Sequence, residues 1–214
     1  MENWTLIQKI AIFALPVLFA ITVHEAAHGY AARHFGDRTA EMMGRLSLNP
    51  VRHIDLVGTI LMPLLTLAVS PFMFGWAKPV PVDFRNLRNP KKDMFWVAAA
   101  GPASNFVMAI AWAVVRKIAI HLNQSDAFYE PLVYMGEAGV LVNVVIMVLN
   151  LLPIPPLDGG RILVSLLPPR AAWQVARIEP YGMYILILLI MTHVLSAIMQ
   201  PFVELTFRFI DLIL

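Results

Sequence analysis

The segment His24-Glu25-Ala26-Ala27-His28 has the residue types and the spacing of a hydrolytic metal site. On an α-helix the two histidines lie one turn apart on the same face, so both imidazoles can bind one metal ion. Glu25 projects from the neighbouring face, within reach of a water molecule bound to that metal. The motif therefore predicts metal-assisted hydrolysis in which Glu25 acts as the general base.

The residues before this motif are as apolar as a membrane span. Residues 10–23 contain no charged side chain, and the run continues directly into His24. Of the 214 residues, 59% are hydrophobic and 14% are charged, against about 25% charged in a soluble domain. We therefore predict an integral membrane protein whose metal site lies within the bilayer. The run lacks the basic start and the cleavage site of a signal peptide, so we interpret it as a retained membrane segment.

The composition also limits the ligands and the partners. The chain contains no cysteine, so any metal must take nitrogen and oxygen ligands. The net charge is +2, and the basic residues fall in segments that flank the apolar runs. That distribution is typical of membrane-flanking loops and indicates that the chain has no nucleic-acid partner.

The order of apolar and polar stretches predicts an all-α polytopic membrane protein with about four to six transmembrane segments. The clearest spans are predicted at residues 5–34, 94–120, 139–152 and 181–199. Residues 41–55 suit short interfacial strands or a re-entrant, β-like loop between the first and second core helices. Residues 201–214 are shorter than the ~20 residues of a crossing and are predicted to be interfacial. We expect one membrane-embedded domain over residues 1–214, with a core at 5–167 and C-terminal helices at 168–214.

The positions of the Lys and Arg residues predict the orientation in the membrane. Nine of them lie between positions 33 and 92. Residues 56–74 are apolar but interrupted by two prolines, and if they re-enter without crossing, all nine basic residues are cytoplasmic. The acidic loop at 121–137 then lies outside, although Arg116 and Lys117 fit this orientation less well. We therefore expect a multi-pass plasma-membrane protein with its active site near the cytoplasmic side.

A catalytic zinc site normally takes three protein ligands and a water molecule, so a third ligand must join His24 and His28. Asp158 is the leading candidate, because it follows a span interrupted by three prolines and precedes two glycines. In the predicted orientation this span ends on the same side of the membrane as the first, at the depth of His28. The alternative is that Asp158 is the N-cap of a helix that begins at Gly159.

The alternative for the two histidines is hydrogen bonding to neighbouring helices. An ionisable residue in mid-bilayer costs roughly 3 kcal/mol on insertion scales. Three such residues within five positions, His24, Glu25 and His28, therefore need a common compensation, which a shared metal ion supplies.

Two motifs together resemble the site-2 protease family of intramembrane zinc metalloproteases. They are the His-Glu-Ala-Ala-His helix and the segment Asn150-Leu-Leu-Pro153-Ile-Pro-Pro156-Leu-Asp158-Gly159. Residues 101–105, Gly-Pro-Ala-Ser-Asn, resemble the start of the intervening core helix. Residues 49–55 and 75–82 resemble the short bacterial and archaeal branch, and we recognise no PDZ or CBS-type insert. The resemblance covers about residues 10–167.

The resemblance implies an intramembrane protease that binds one Zn2+ per chain through His24, His28 and Asp158. Glu25 would act as general base and then as general acid. Asn150 would steady the substrate backbone or the developing oxyanion, with an interhelical hydrogen bond as an equal alternative. The expected substrates are transmembrane proteins or remnant signal peptides within the lipid bilayer. Asn105 is expected to be structural.

A peptidase in lipid must unwind its substrate locally, because every backbone carbonyl of a membrane helix is already paired. Residues 42–48 are strand-like and are a hypothetical site for strand addition by the unwound peptide. The sequence allows three locations for His53 and Asp55: beside the metal ligands, along a path for water, or at the level of the lipid headgroups.

Two other functions compete with a protease. A membrane divalent-cation carrier would use His24, His28 and Asp158 to bind a transported ion, but carriers distribute ionisable residues along several spans and contain inverted repeats. The later spans here hold few such residues, and no internal repeat is visible. A catalytically silent scaffold of the same fold is the second alternative, and the intact Glu25 argues against it.

Overall fold

The computed structural model describes residues 5–61, 78–122 and 127–213, and within these residues it contains α-helices and no β-strand. The eight α-helices of this described part are α1 (Leu6–His34), α2 (Thr39–Met42), α3 (Pro90–Ile120), α4 (Tyr129–Asn150), α5 (Asp158–Leu166), α6 (Pro169–Ala176), α7 (Gly182–Met191) and α8 (Val194–Ile213). Short 3-10 turns lie at Pro50–His53, Phe84–Asn86 and Glu179–Tyr181, and a π-helical turn lies at Leu56–Leu61.

Four helical segments among the described residues are long and apolar enough to cross a membrane. They are Ile10–His34, Pro90–Ile120, Tyr129–Asn150 and Pro169–Met191, the last being α6 and α7 joined by a short turn. The predicted class, an all-α polytopic membrane protein with about four to six spans, is confirmed.

Helix α1 begins and ends close to where the sequence predicts. Thr5 is its N-cap, and the side chains and backbone of Thr5 and Gln8 form a reciprocal capping box. Phe35 is the C-cap, and Gly36 follows with a φ of +116°, a conformation that ends a helix readily. Arg33 and His34 lie in the last turn, where positive charge is favourable.

The core lies where α3 and α4 pack along each other, with α1 against both of them and α5 against α3. The main cluster of buried side chains joins α3, α4 and α8. Its members are Ala109, Val140, Val144, Met147, Val148, Leu152, Leu195, Met199 and Ile210. The packing of α1, α3 and α4 fixes their relative positions and so places the His24 and His28 side chains of α1 against α3.

The connection between α1 and α3 is predicted to form short interfacial strands or a re-entrant loop, and the strands are not observed in its described residues. Residues 39–61 contain α2, a 3-10 turn and a π-helical turn, joined by short turns. Asn49 and Asp55 each accept hydrogen bonds from backbone amides two residues later, which favours tight turns over strands. The predicted re-entrant segment at 56–74 lies, beyond residue 61, outside the described residues.

The C-terminal elements also differ from the predicted bounds. Helix α4 begins at Tyr129, ten residues before the predicted span, and so includes part of the acidic loop. The chain turns at His193, which has a φ of +58°, and this turn divides the span predicted at 181–199. Of the segment predicted to be interfacial, residues 201–213 form the second part of the 20-residue helix α8, which contains Pro201 in its interior. This helix is not among the four apolar segments named above, and its place at the membrane surface stays a prediction.

Candidate metal centre

Three predicted ligand atoms converge between α1 and α5. The Nε2 atoms of His24 and His28 lie 3.1 Å apart. The Oδ2 atom of Asp158 lies 3.2 Å from the Nε2 atom of His24 and 3.3 Å from that of His28. All three side chains are buried. The packing of helices far apart in the chain therefore produces the compact nitrogen and oxygen donor set that the sequence predicts.

The residues present fit a zinc ion. The Oδ2 atom of Asp158 is buried without a hydrogen-bond partner among the described residues, a costly state that a bound cation would relieve. The Nδ1 atom of His24 donates to the Oδ1 atom of Asn105 at 2.6 Å, and that of His28 donates to the Val97 carbonyl at 2.7 Å. With Nδ1 as the donor in each imidazole, each Nε2 faces Asp158 and is the nitrogen available to bind a metal ion. Two imidazoles and one carboxylate, with room for water, are typical of catalytic zinc.

Asp158 is not a helix cap. Helix α5 begins at Asp158 itself, its N-cap is Leu157, and no side chain makes a capping hydrogen bond there. The amides of Gly160 and Arg161 donate to the Leu157 carbonyl instead. The carboxylate is thus left to face the two histidines, and its place in the first turn of a helix favours negative charge. The capping alternative is wrong.

Gly101 allows α3 to approach the histidines. A Cβ atom at this position would lie 2.4 Å from the Nε2 atom of His28 and 2.6 Å from the Cε1 atom of His24. Any larger residue would therefore displace the imidazoles or separate α1 from α3. The same stretch of α3 provides the acceptors for both Nδ1 atoms, Val97 and Asn105.

A chain of buried amides connects His24 to α4. The Nδ2 atom of Asn105 donates to the Ala20 carbonyl at 3.2 Å and to the Oδ1 atom of Asn143 at 2.9 Å. The Nδ2 atom of Asn143 in turn donates to the Gly139 carbonyl at 2.8 Å. Because the amide nitrogen of Asn105 is used in this way, its oxygen is the atom that accepts from the Nδ1 atom of His24.

Two of these residues make contacts that the sequence alone does not predict. Asn105 was expected to be structural, yet it contacts a metal-ligand candidate directly. The sequence analysis makes no prediction for Asn143, although an amide within an apolar span is a signal that identifies such a residue. Both are fully buried.

Glu25 lies on α1, directly after the ligand candidate His24 and one turn before Gly29. Its Oε2 atom accepts a hydrogen bond of 2.7 Å from the backbone amide of Val80. The residue is half-buried, so one carboxylate oxygen is held by the protein while part of the residue stays exposed. This placement is compatible with the predicted role as general base, which stays a prediction.

Asn150, His53 and Asp55 make local bonds. The Nδ2 atom of Asn150 donates to the Ile146 carbonyl of its own helix at 3.0 Å, so its predicted role toward substrate stays a prediction. His53 is buried and donates through Nε2 to the Ser47 carbonyl at 2.8 Å. Asp55 caps the π-helical turn through the amides of Val57 and Gly58. The metal-ligand cluster found among the described residues consists of His24, His28 and Asp158 and does not include these three.

The chain resembles known proteins over most of its length. The model of Peptidase family M50 matches residues 116–193. "Putative zinc metalloprotease YwhC" of Bacillus subtilis is 36% identical over 189 residues, which cover 87% of this chain and 83% of YwhC. "Putative zinc metalloprotease Rip2" of Mycolicibacterium smegmatis is 30% identical over 210 residues, which cover 94% of this chain and 75% of Rip2. No solved structure matches the chain significantly.

These likenesses agree with the geometry. The relatives carry the names of zinc metalloproteases, and the chain supplies a buried set of zinc-type ligands, two of which lie on an apolar helix of membrane length. An enzyme is therefore favoured over a cation carrier. The chain belongs to Peptidase family M50, the site-2 protease family, and is a membrane zinc metalloprotease.

Proposed function

We propose that this enzyme hydrolyses peptide bonds in or near the transmembrane segments of membrane proteins. The observation that carries the proposal is the depth of the site along the spans. His24 and His28 lie within the apolar segment Ile10–His34, and their acceptors Val97 and Asn105 lie within Pro90–Ile120. A peptide bond that reaches this site must be carried there by a segment that itself enters the membrane.

The chemistry follows from the residues around the site. His24, His28 and Asp158 would hold the zinc ion, which would supply a water of lowered pKa and a Lewis acid for the scissile carbonyl. Glu25 takes the proton of the attacking water and then delivers it to the leaving amine. Asn105 and Val97 hold the imidazoles in orientation through their Nδ1 atoms. Asn150 is proposed to bind the substrate backbone through its Oδ1 atom or its second N–H, since one N–H donates to the Ile146 carbonyl.

The substrate must present an extended backbone. A helix in lipid has all its carbonyls paired, so cleavage requires a segment that unwinds at low cost. We propose single-span proteins and remnant signal peptides as the substrate class, because short apolar segments can enter laterally and unwind near the membrane surface.

We propose that the site lies near the cytoplasmic side of the plasma membrane. The amide of Arg88 donates to the Phe35 carbonyl at 2.9 Å, so the end of α1 and the start of α3 lie at the same end of the bundle. The basic residues of this end, including Arg33, Arg88 and Lys92, favour the cytoplasmic side. A reporter inserted at Arg88 should be accessible from the cytoplasm, and periplasmic labelling would contradict the orientation.

The central test combines cleavage with metal content. Wild type and Glu25→Gln are reconstituted in liposomes with a labelled single-span peptide, and zinc per chain is measured by elemental analysis. We expect the variant to retain zinc while its cleavage rate falls by about 10²-fold or more, since general base catalysis contributes that much. Glu204→Gln, at an exposed position on α8, is the matched control and should cleave normally. Normal cleavage by Glu25→Gln would falsify the assignment of the base, and a zinc-loaded wild type that cleaves only soluble peptides would contradict the substrate class.

A further inference from the structure

The segment that contacts Glu25 has an unusual pattern of amides. Residues 78–83 read Lys-Pro-Val-Pro-Val-Asp. Pro79 and Pro81 carry no backbone N–H, so Val80 provides the single amide donor between positions 79 and 81. That amide donates to the Oε2 atom of Glu25 at 2.7 Å, across 55 residues of sequence. One donor, isolated between two residues that cannot donate, is thus directed at the proposed base.

Bonds on both sides of Val80 hold the segment independently of Glu25. On one side the amide of Lys78 donates to the His53 carbonyl at 2.9 Å. The guanidinium of Arg45 donates to the carbonyls of Lys78 and Pro79 at 3.1 and 3.3 Å. On the other side the amide of Asp83 donates to the carboxylate of Asp37 at 2.8 Å. The Val80 amide is therefore held in place by contacts that do not involve the carboxylate of Glu25.

The segment also packs closely against the face of α1 that carries Glu25. Gly29 lies one turn after Glu25 on this face. A Cβ atom at Gly29 would lie 3.0 Å from a Val80 methyl carbon and 2.8 Å from a methyl carbon of Leu46, so a glycine is needed for this approach. The Val80 side chain is itself buried. Close packing fixes the distance over which the amide can reach the carboxylate.

We infer that the backbone amide of Val80 is the positioning group for the Glu25 carboxylate, and this inference rests on the proposed function. With Oε2 held by a short, charge-assisted hydrogen bond, the carboxylate plane is fixed and Oε1 is left for proton transfer. Without that bond, Glu25 rotates freely and spends less time in the productive orientation. We expect the loss of this hydrogen bond to lower kcat and not to change KM, because neither the metal ligands nor the substrate contacts change.

Replacing a single backbone amide by an ester tests this role without altering a side chain. The α-hydroxy analogue of valine at position 80 removes the N–H that Glu25 accepts. The same analogue at Val82 is the matched control, because the amide of Val82 donates to no acceptor among the described residues. We expect the ester at 80 to lower kcat about 10- to 100-fold, as expected for a lost hydrogen bond to a charged group, with KM and zinc content unchanged. The ester at 82 should leave kcat unchanged.

Hydrogen exchange provides a readout that does not depend on activity. Between positions 79 and 82 the chain has two exchangeable amides, Val80 and Val82. In Glu25→Ala we expect the exchange of the Val80 amide to accelerate at least about tenfold relative to wild type, while Val82 changes little. This result would stand even if no transmembrane substrate were cleaved. Hydrogen exchange therefore tests the contact between Val80 and Glu25 separately from the proposed function. Unchanged exchange at Val80, an unchanged kcat in the ester at 80, or a loss of zinc in that ester would each overturn the inference.

Discussion

The Nδ1 atom of His24 on α1 lies 2.6 Å from the Oδ1 atom of Asn105 on α3, a residue 81 positions away. This hydrogen bond decides which imidazole nitrogen faces Asp158. The interhelical contact that holds α1 against α3 is therefore also a contact that prepares the metal site.

Removing any one ligand should empty the metal site. In His24→Ala, His28→Ala or Asp158→Ala, two protein ligands remain, and the buried site loses most of its affinity for zinc. We expect elemental analysis of the purified proteins to show zinc falling from about one per chain toward zero. His34→Ala, at an exposed position at the end of the same helix, should retain its zinc. Full zinc occupancy in Asp158→Ala would contradict the assignment of the third ligand.

Asn105 should tune the affinity for zinc. In Asn105→Leu the Nδ1 atom of His24 loses its acceptor, and we expect zinc affinity to fall by about 10- to 100-fold in competition with a chelator. Asn105→Asp keeps an acceptor at this position and should restore most of the affinity. Asn143→Leu removes only the partner of the Asn105 amide, so its effect should be smaller. Equal zinc affinities for Asn105→Leu and wild type would show that the tautomer does not depend on Asn105.

Gly101→Ala should damage the site through packing alone. The new methyl group would lie within 2.6 Å of both imidazoles, so α3 must move away from α1 or the rings must rotate. We expect a reduced zinc content and a destabilisation of about 1–3 kcal/mol, as is usual for overpacked cores. Ala103→Ser, an exposed change two residues later, is the matched control and should behave as wild type in the same zinc and unfolding measurements.

Asp37 should make the fold sensitive to acid. Burial opposes its ionisation, but hydrogen bonds from Thr39, Asp83 and Asn86 outweigh it and hold the pKa of the carboxyl below its ordinary value. A lowered pKa in the folded state stabilises the protein above the unfolded value, and this stability is lost as the pH falls through the folded value. The Tm in detergent should therefore decline below about pH 4.

The variant Asp37→Asn isolates this contribution. It keeps one acceptor oxygen and loses the charge. We therefore expect the free energy of unfolding to fall by about 1–3 kcal/mol at neutral pH, and Tm to depend less on pH in the acidic range. Asp211→Asn changes the same charge at an exposed site on α8 and should leave the pH profile unaltered. If Asp37→Asn and wild type lost stability in parallel, Asp37 would not be the responsible group.

Asn150→Ala separates the two interpretations of this residue. A side chain that binds the substrate or the oxyanion should lower kcat/KM by about 10²-fold when it is removed, with zinc content unchanged. A side chain that only bonds to the Ile146 carbonyl of α4 should change neither value, because the backbone of α4 already has its helical bonds. We expect the first result, measured with the reconstituted single-span substrate.

Several features were predictable because they depend on local chemistry. The spacing of His24 and His28 follows from the helical repeat, and the start of α1 follows from the capping pair Thr5 and Gln8. Asp158 was predictable because the prolines and glycines around it mark a break after a span, and the family resemblance supplied its role. By contrast, the strand-like interpretation of residues 42–48 was not supported, since strand formation depends on a partner that sequence periodicity does not reveal.

The sequence by itself determined the metal-binding motif, its apolar surroundings and the family to which the chain belongs, because those depend on residue type and short-range spacing. The tertiary structure brings Asp158 to both histidines, as the sequence predicts. It alone decided that Asn143 supports Asn105 and that the Val80 amide reaches Glu25. These contacts join residues on different elements, and their distances depend on how the helices and the 78–83 segment pack. Packing is set by many weak contacts acting together, which no single stretch of sequence encodes.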